Sequence, residues 1–291
     1  MRFNPFAYRP VRAGLLVTLG LMVAGLALRP LEGPAWEKIQ ARQPQLRLES
    51  LKDALGQGVT VGLLGGFRAI VADLFWIRTN AIWEDNDLPG TQTSIKLVTA
   101  IDPRPLYFWL NGSRMIAYDM PNWRIDKAGG YDAVPEAVRR RFDEEQSKVA
   151  IDYLNTALDF HPDEPLLILE IANVHLNRLK DVETASRFYL QAAEQPDAPY
   201  YAARIYAELL RRLERHEEAY AFLKRLHPTL PPDNVMAQAG VVLDRIRELE
   251  DELSVPMVKR YRDPHGTPTP APRMPGLDVD VSDLLPGAPG A

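Results

Sequence analysis

The sequence contains no cysteine among its 291 residues. This absence excludes disulfide bonds, thiolate metal sites, a cysteine nucleophile and an N-terminal cysteine that carries a lipid. It does not indicate a compartment, because a chain without thiols is stable in oxidising and in reducing surroundings alike.

The sequence also lacks the common motifs for catalysis, metal binding and phosphate binding. The five histidines are scattered, and neither an HExxH zinc motif nor a G-x-x-x-x-G-K-[ST] phosphate loop occurs. The 34 basic residues are interspersed with 39 acidic ones, for a formal net charge of -5, so no broad basic surface for nucleic acid is indicated. The sequence therefore predicts a protein that is not an enzyme, holds no cofactor or metal, and does not bind nucleic acid.

Residues 13–28 are uncharged and mostly apolar, and residues 1–12 before them carry three arginines and no acid. As a helix the apolar run would be about 24 Å long, and snorkelling of Arg12 and Arg29 would let it cross a hydrocarbon core of roughly 30 Å. We predict an uncleaved membrane signal anchor. A cleaved signal peptide and a buried helix are the alternatives, although the run ends in ALRP, a poor cleavage site. The preceding arginines favour an extracytoplasmic position for the rest of the chain, while basic residues after the run leave the orientation open.

Residues 63–80 (LLGGFRAIVADLFWIRTN) look like a second membrane span, but they contain Arg68 and Asp73. Each charge would cost roughly 2.5–3.5 kcal/mol in the middle of a bilayer, more than the neighbouring apolar residues return. We therefore predict that this stretch leads into the first helix of a domain folded in water, ending near a Leu-Pro-Gly turn at residues 88–90. Arg68 and Asp73 would form a partly buried polar pair. A GxxxGxxxG pattern at residues 58–66 keeps a second span as the alternative.

Three later segments, residues 147–165, 183–199 and 217–233, share a pattern of small and large side chains. Each has a small residue, a large one four positions later and a third apolar residue three positions after that, in copies 35 and 34 residues apart. An earlier copy occurs at residues 93–105. The shared positions are Thr93, Ala150, Ala185 and Ala219, then Leu97, Leu154, Tyr189 and Leu223, then Ala100, Ala157, Ala192 and Leu226. This period is typical of a helical hairpin, in which small residues let two helices approach closely.

Further small residues lie twelve or thirteen positions before three of these copies, where the first helix of a hairpin would cross the second. They are Ala81, Ala172 and Ala207. Together these positions resemble the tetratricopeptide repeat over residues 72–231. The resemblance implies an all-α fold, a right-handed α-solenoid of about four helical hairpins.

The resemblance also divides the chain. Residues 29–71 would be a helical, glycine-rich lead-in, and residues 72–253 the repeat domain, in which the last helix (234–253) caps the array. Residues 121–146 would be an insert between the two helices of the second repeat. Residues 254–291 are rich in proline and glycine and are predicted to be a disordered tail.

In such a solenoid the first helices of successive repeats line a concave groove, which would bind a protein or peptide partner through apolar anchors. Some members hold a peptide carboxylate with a lysine and two asparagines; here only Asn173 has a counterpart, and Leu169 stands where the lysine would be. That mode is therefore not expected. The residues expected to line the groove are Phe75, Arg78, Ile82, Trp109, Asn173, Tyr201, Arg204, Glu208 and Arg211.

The sequence thus predicts a membrane-anchored scaffold or adaptor that binds a protein or peptide partner. The insert offers a second candidate surface, because it contains Trp123 and the arginine run at residues 139–141. The alternative function is that of an exported envelope accessory protein, which would handle a small ligand or glycan in a groove covered by residues 121–146.

Overall fold

The computed structural model describes residues 66–264 and 266, and every regular element in this part of the chain is a helix. The predicted all-α fold is thereby confirmed for these residues. The expected anchor at residues 13–28 lies outside them, as do nearly all of the lead-in and most of the tail. Within the described ranges, no helix is long and apolar enough to cross a bilayer.

The helices follow one another through short connections, and the chain divides into two compact units, one up to Arg215 and one from His216 onward. Single turns of 3-10 helix occur at His227–Thr229 and Met257–Lys259. In chain order the helices are α1 (Arg68–Glu84), α2 (Leu88–Ile101), α3 (Leu106–Arg114), a π-helical turn (Met115–Asp119), α4 (Met120–Lys127), α5 (Glu136–Phe160), α6 (Pro165–Asn177), α7 (Val182–Ala193), α8 (Tyr200–Arg212), α9 (His216–Leu226) and α10 (Ala239–Glu252).

Helices that are close in the chain pack together in the first unit: α1 with α2, α2 with α3, α3 with α5, α5 with α6, α6 with α7, and α7 with α8. One buried core, which includes Ile95 and Leu154, extends from α1 to α6. A second core, which includes Ile168 and Leu209, joins α6, α7 and α8. Each helix thus buries its apolar stripe against its neighbours, the main source of helix stability in water.

The connections after α5, α6, α7 and α8 use one backbone conformation, and they recur at a constant interval along the chain. Asp163, Lys180, Asp197 and Glu214 have φ angles of 63°, 57°, 59° and 59°. A residue in the left-handed conformation changes the direction of the chain and is common in the turn that follows a helix. Two successive intervals, as from Asp163 to Asp197, equal the period of about 34 residues known for helical hairpin repeats.

The repeated positions are buried in the three later copies, as the sequence predicts. The crossing residues Ala172 and Ala207 are also buried, so small side chains occupy the places where helices approach closely. The buried repeat positions are Ala150, Leu154 and Ala157 on α5, Ala185, Tyr189 and Ala192 on α7, and Ala219 and Leu223 on α9, while Leu226 is partly buried.

The predicted register of the first copy is wrong by one residue. Thr93 is exposed, and Leu97 and Ala100 are only partly buried. The prediction aligned this copy with the three later ones. In the structure, α2 buries a face of the helix that is offset from the aligned one. The residues buried on α2 in their place are Ser94, Val98 and Ile101.

The crossing of α1 and α2 also differs from the prediction. Ala81 is exposed, and the helices meet instead at Thr79, whose hydroxyl oxygen lies 2.6 Å from that of Ser94. The expected turn at residues 88–90 is the first turn of α2. Asp87 caps this helix by accepting a hydrogen bond from the Gly90 N–H at 3.1 Å, and proline is tolerated in the first turn because no intrahelical N–H is needed there.

Residues 121–146 lengthen two helices instead of forming a separate insert. The segment from α3 to α4 runs without a break from Leu106 to Lys127, and α5 has 25 residues. The π-helical turn ends two residues before Pro121, whose ring would collide with the carbonyl group four residues earlier in a regular helix. Gly129 and Gly130, with φ angles of 113° and 89°, make the turn toward α5.

In the second unit, α9 packs on α10, and the residues after α10 fold back on it. The fully buried carboxylate of Glu250 accepts hydrogen bonds from the Tyr220 hydroxyl at 3.0 Å, from Arg247 at 2.8 Å and from the Tyr261 backbone N–H. Arg260 also bonds to Asp251 on α10. The prediction that a disordered tail begins at residue 254 is therefore wrong for residues 254–264.

Candidate partner-binding surface

A buried carboxylate lies between α3 and α6. Glu170 on α6 is 3% exposed, and its Oε2 atom accepts hydrogen bonds from Arg114 Nε at 3.2 Å and Arg114 Nη2 at 3.1 Å. The Arg114 side chain is half exposed. Although burial opposes its charge, the hydrogen bond to Glu170 and the negative charge of Glu170 raise the pKa of the Arg114 guanidinium. The pair keeps a carboxylate in a buried position and presents a cation to solvent.

Three tyrosines surround this ion pair: Tyr118 in the π-helical turn, Tyr189 on α7 and Tyr201 on α8. Burial raises the pKa of each phenol, and the nearby charge of Glu170 raises it further. The Tyr189 hydroxyl donates a hydrogen bond to Asn173 Oδ1, while Tyr201 is 40% exposed. All three phenols are therefore neutral hydrogen-bonding groups at physiological pH.

We refer to Arg114, Tyr118, Glu170, Asn173 and Tyr201 as the tyrosine–arginine surface. They belong to α3, the π-helical turn, α6 and α8, which are separated in the chain by α5 and α7. On α6 the two members are three residues apart, and Arg114 and Tyr118 are four apart, so each pair shares one helix face. Helices that are distant in the sequence thus contribute charged, amide and aromatic side chains to the tyrosine–arginine surface.

A second set of polar contacts involves Tyr118 and its neighbour Asp119. The Arg178 guanidinium lies 5.6 Å from the centre of the Tyr118 ring and is hydrogen-bonded to Asp143. Trp83 on α1 donates its indole N–H to Asp119 Oδ2 at 2.8 Å. Burial raises the pKa of Asp119, even though this hydrogen bond favours the ionised carboxylate. Side chains from α1 and α5 therefore support the edge of the tyrosine–arginine surface.

Of the residues predicted to line the groove, Asn173 and Tyr201 belong to the tyrosine–arginine surface. Arg204 follows Tyr201 by one turn on α8 and is half buried; burial lowers the pKa of its guanidinium. Glu208 and Arg211, farther along α8, form an ion pair at 3.2 Å. Four of the predicted positions, Tyr201, Arg204, Glu208 and Arg211, therefore lie on one helix, α8, which contributes Tyr201 to the surface.

The predicted positions on α1 are three and four residues apart and share one face of the helix. Phe75 is half buried and packs against the core of the first unit. Ile82 is half buried and Arg78 is exposed. The residue of α1 that reaches the edge of the tyrosine–arginine surface is Trp83, through its hydrogen bond to Asp119.

Trp109 is not a groove residue, so this part of the prediction is wrong. It is 2% exposed, its indole N–H donates to the Pro103 carbonyl oxygen at 2.8 Å, and its ring lies 4.7 Å from that of Tyr153 on α5. The face of α3 that carries Trp109 is turned toward α5. Arg114, which is exposed, and Tyr118, which is partly buried, lie on another face, and their spacing of four residues was the signal in the sequence that could have identified them.

The polar pair expected of Arg68 and Asp73 is not formed. Arg68 is buried and Asp73 is exposed, and no ion pair joins the two side chains. Residues five apart on a helix point about 140° away from each other, so one of them faces the protein when the other faces solvent.

A separate cleft of about 580 Å³ opens between α2, α3 and α5. Trp109, Tyr153 and Phe160 form its aromatic wall, and Lys96 and Asp152 contribute its charges. None of residues 121–146 lines this cleft. In the part of the chain that the structure describes, no group of three His, Asp or Glu side chains is placed to hold a metal ion.

Comparison with known proteins identifies no relative: no protein-family model matches the chain, and no curated protein is similar to it in sequence.

Proposed function

We propose that this protein is a membrane-anchored helical-repeat scaffold, similar to tetratricopeptide proteins, which binds a protein or peptide partner on the tyrosine–arginine surface. The observation that carries the proposal is the convergence of polar and aromatic residues from α3, α6 and α8. These helices would be the first members of successive hairpins, with α5 and α7 as the second members. The constant interval between the left-handed residues of successive helix connections supports this α-solenoid arrangement.

The chemistry of the surface indicates the kind of partner. Tyr201 offers an exposed aromatic ring, and such rings are common anchors in protein interfaces because they combine a large apolar area with a polar group. Arg114 offers a half-exposed cation whose position is fixed by Glu170. A peptide with an apolar or aromatic side chain and a nearby carboxylate fits both features. Arg204 would extend the same recognition along α8.

The proposed anchor is the apolar run at residues 13–28, with the repeat domain on the extracytoplasmic side of the membrane. Attachment to a membrane would confine the scaffold to two dimensions and raise the local concentration of a partner held at the same surface. The proposal includes no catalytic step and no cofactor.

The test is a crosslinking experiment on membranes that contain the full-length protein. We expect Tyr201→Ala combined with Arg204→Ala to lose the partner captured by the wild-type protein, because the substitutions remove the aromatic anchor and the adjacent charge. Tyr200→Ala is the matched control, since Tyr200 is a similarly exposed tyrosine at the neighbouring position of α8.

Both variants are first compared with the wild-type protein by circular dichroism and thermal melting, which confirms that they fold. Loss of the partner in the double variant and retention in the control would support the tyrosine–arginine surface as the binding site. An unchanged set of captured proteins in both variants would contradict it.

A further inference from the structure

Helix α1 has an exposed apolar stripe on the side opposite its packed face. Ile70, Leu74 and Ile77 are 56%, 61% and 66% exposed, and Ala81 is exposed as well. We refer to these four residues as the α1 stripe. At about 100° per residue they fall within a narrow arc along roughly 16 Å of the helix. Large aliphatic side chains in such a row indicate a contact surface.

The opposite face of α1 already serves the fold. Ala72, Trp76 and Thr79 are buried there, and the Trp76 ring packs edge-on against Tyr107 and at a tilt against Phe108. This face lies roughly 180° from the α1 stripe around the helix axis. The α1 stripe is therefore not needed for packing within the described part of the first unit.

The spacing of the α1 stripe is that of a two-heptad coiled-coil seam. Steps of four, three and four residues place Ile70 and Ile77 at d positions and Leu74 and Ala81 at a positions. The buried residues of α1 then occupy the outer positions of the same heptads. The helix can therefore pack on the first unit and on another helix at the same time.

Two charged residues flank the α1 stripe, one on each side. Asp73 is at a g position and Arg78 is at the following e position; both are exposed, and neither has an ion-pair partner within residues 66–264 and 266. In a parallel coiled coil, a g residue faces the residue five positions later on the other helix. Asp73 of each copy would therefore meet Arg78 of the other. An antiparallel pair would place like charges on the same side.

We propose that two copies of this chain associate in parallel through their α1 stripes, with two symmetric Asp73–Arg78 ion pairs beside the seam. This contact involves α1 alone and is independent of the tyrosine–arginine surface. Because the seam is only two heptads long, the contact is smaller than a standard protein interface. The association is therefore expected to be reversible.

The absence of cysteine makes this proposal directly testable. Leu74→Cys and Ile77→Cys each introduce the single thiol of the full-length chain, which is purified in detergent and mildly oxidised. In a parallel pair, equivalent a or d residues face each other, so both variants should form a disulfide-linked dimer on a non-reducing gel. Ala69→Cys is the matched control: it is exposed on the same helix, but at an outer position where two copies of the residue are far apart.

Charge reversal tests the orientation independently. Asp73→Arg alone, or Arg78→Asp alone, turns two attractive pairs into two repulsive ones and should raise the dissociation constant of the dimer about tenfold in sedimentation velocity. The chain that carries both reversals should dimerise like the wild-type protein, and so should a mixture of the two single variants.

Three results would overturn the proposal. Equal crosslinking at residues 69 and 74 would show that the thiols meet by collision. A monomeric Leu74→Cys chain with a thiol protected from maleimide would mean that another segment of the same chain covers the α1 stripe. A monomeric chain whose thiol becomes protected only on addition of lipid vesicles would assign the α1 stripe to the membrane surface.

Discussion

At the scale of single residues, close approach of two helices requires small side chains at the point of contact, and glycine has no Cβ atom at all. Gly112 on α3 faces two neighbouring helices, α2 and α5. A Cβ atom added there would lie 2.7 Å from Ile95 Cγ2 and 2.8 Å from the Tyr153 hydroxyl oxygen. Both neighbours are buried, and the Tyr153 hydroxyl donates a hydrogen bond to the Phe108 carbonyl oxygen at 3.2 Å. Neither can move away without losing packing or this hydrogen bond.

Gly112→Ala should therefore destabilise the protein, even though alanine favours a helix. We expect the free energy of unfolding to fall by about 1–3 kcal/mol, the usual effect of overpacking a well-packed core. The measurement is urea unfolding followed by circular dichroism at 222 nm. Gly240→Ala on α10 is the control, because no atom lies within 4 Å of its added Cβ. It should be neutral or stabilising by up to about 1 kcal/mol, and equal losses in both variants would contradict the assigned contact.

At the scale of helices, the turns between helices and the buried alanines both recur along the chain with the period of the helical repeat. Left-handed residues lie in the connections that follow α5, α6, α7 and α8, and they recur at a constant interval from Asp163 to Glu214. Ala172 on α6 and Ala185 on α7 are fully buried, and these two helices pack together. Small side chains at these buried positions let the two helices approach closely.

Ala207→Leu tests this register on α8. Ala207 is 2% exposed, so a leucine there has no room and should lower the free energy of unfolding by about 1–3 kcal/mol. The midpoint of thermal unfolding is the measurement. Ala137→Leu, at an exposed position in the first turn of α5, makes the same chemical change outside the core and should leave the midpoint nearly unchanged. A melting curve of Ala207→Leu that matches the wild-type curve would refute the assigned register.

At the scale of the whole molecule, the proposed function and the proposed dimer together involve three separate parts of the chain. The apolar run at residues 13–28 would attach the chain to a membrane, the tyrosine–arginine surface would bind a partner, and the α1 stripe would join two copies. Parallel association of α1 is compatible with two anchors in one membrane, since both chains would then leave the bilayer in the same direction. A dimer would also present two partner-binding surfaces at once and increase avidity.

The proposed anchor leads to a simple expectation about fractionation. A chain that lacks residues 1–29 should appear in the soluble fraction after carbonate extraction, whereas the full-length chain should stay in the membrane pellet. Deletion of residues 1–12 alone is the control, because it leaves the apolar run intact and should preserve the pellet location. A truncated chain without residues 1–29 that still sediments with membranes would exclude this run as the sole attachment.

The helical fold and the repeat period could be predicted because they depend on local spacing. The positions Ala150, Leu154 and Ala157 recur on α7 and are buried on both helices. The first copy could not be placed in the same way. At the crossing of α1 and α2, Thr79 and Ser94 stand in place of alanines, and their hydroxyl oxygens are 2.6 Å apart. A contact between polar residues cannot be predicted from a pattern of apolar residues.

The candidate site was predicted in part for a related reason. Asn173 and Tyr201 were found by extending a regular repeat, which works where the helices have regular lengths. The same extension failed at Trp109, because the helix that contains it continues through a π-helical turn to Lys127 and shows a different face to its neighbours. Arg114 and Glu170, which are far apart in the chain and joined by hydrogen bonds, do not form a recognisable motif in the sequence.

The pattern of residues along the chain was enough to establish that this part of the protein is helical and that its later helices recur with a period of about 34 residues. These properties follow from side chains a few positions apart, which share a helix face whatever the rest of the molecule does. Which face of each helix is buried, and the meeting of Arg114, Glu170 and Tyr201 in one place, were established by the folded structure alone. Burial and ion pairing depend on which helices pack against each other, and this packing depends on contacts between residues that are distant in the chain.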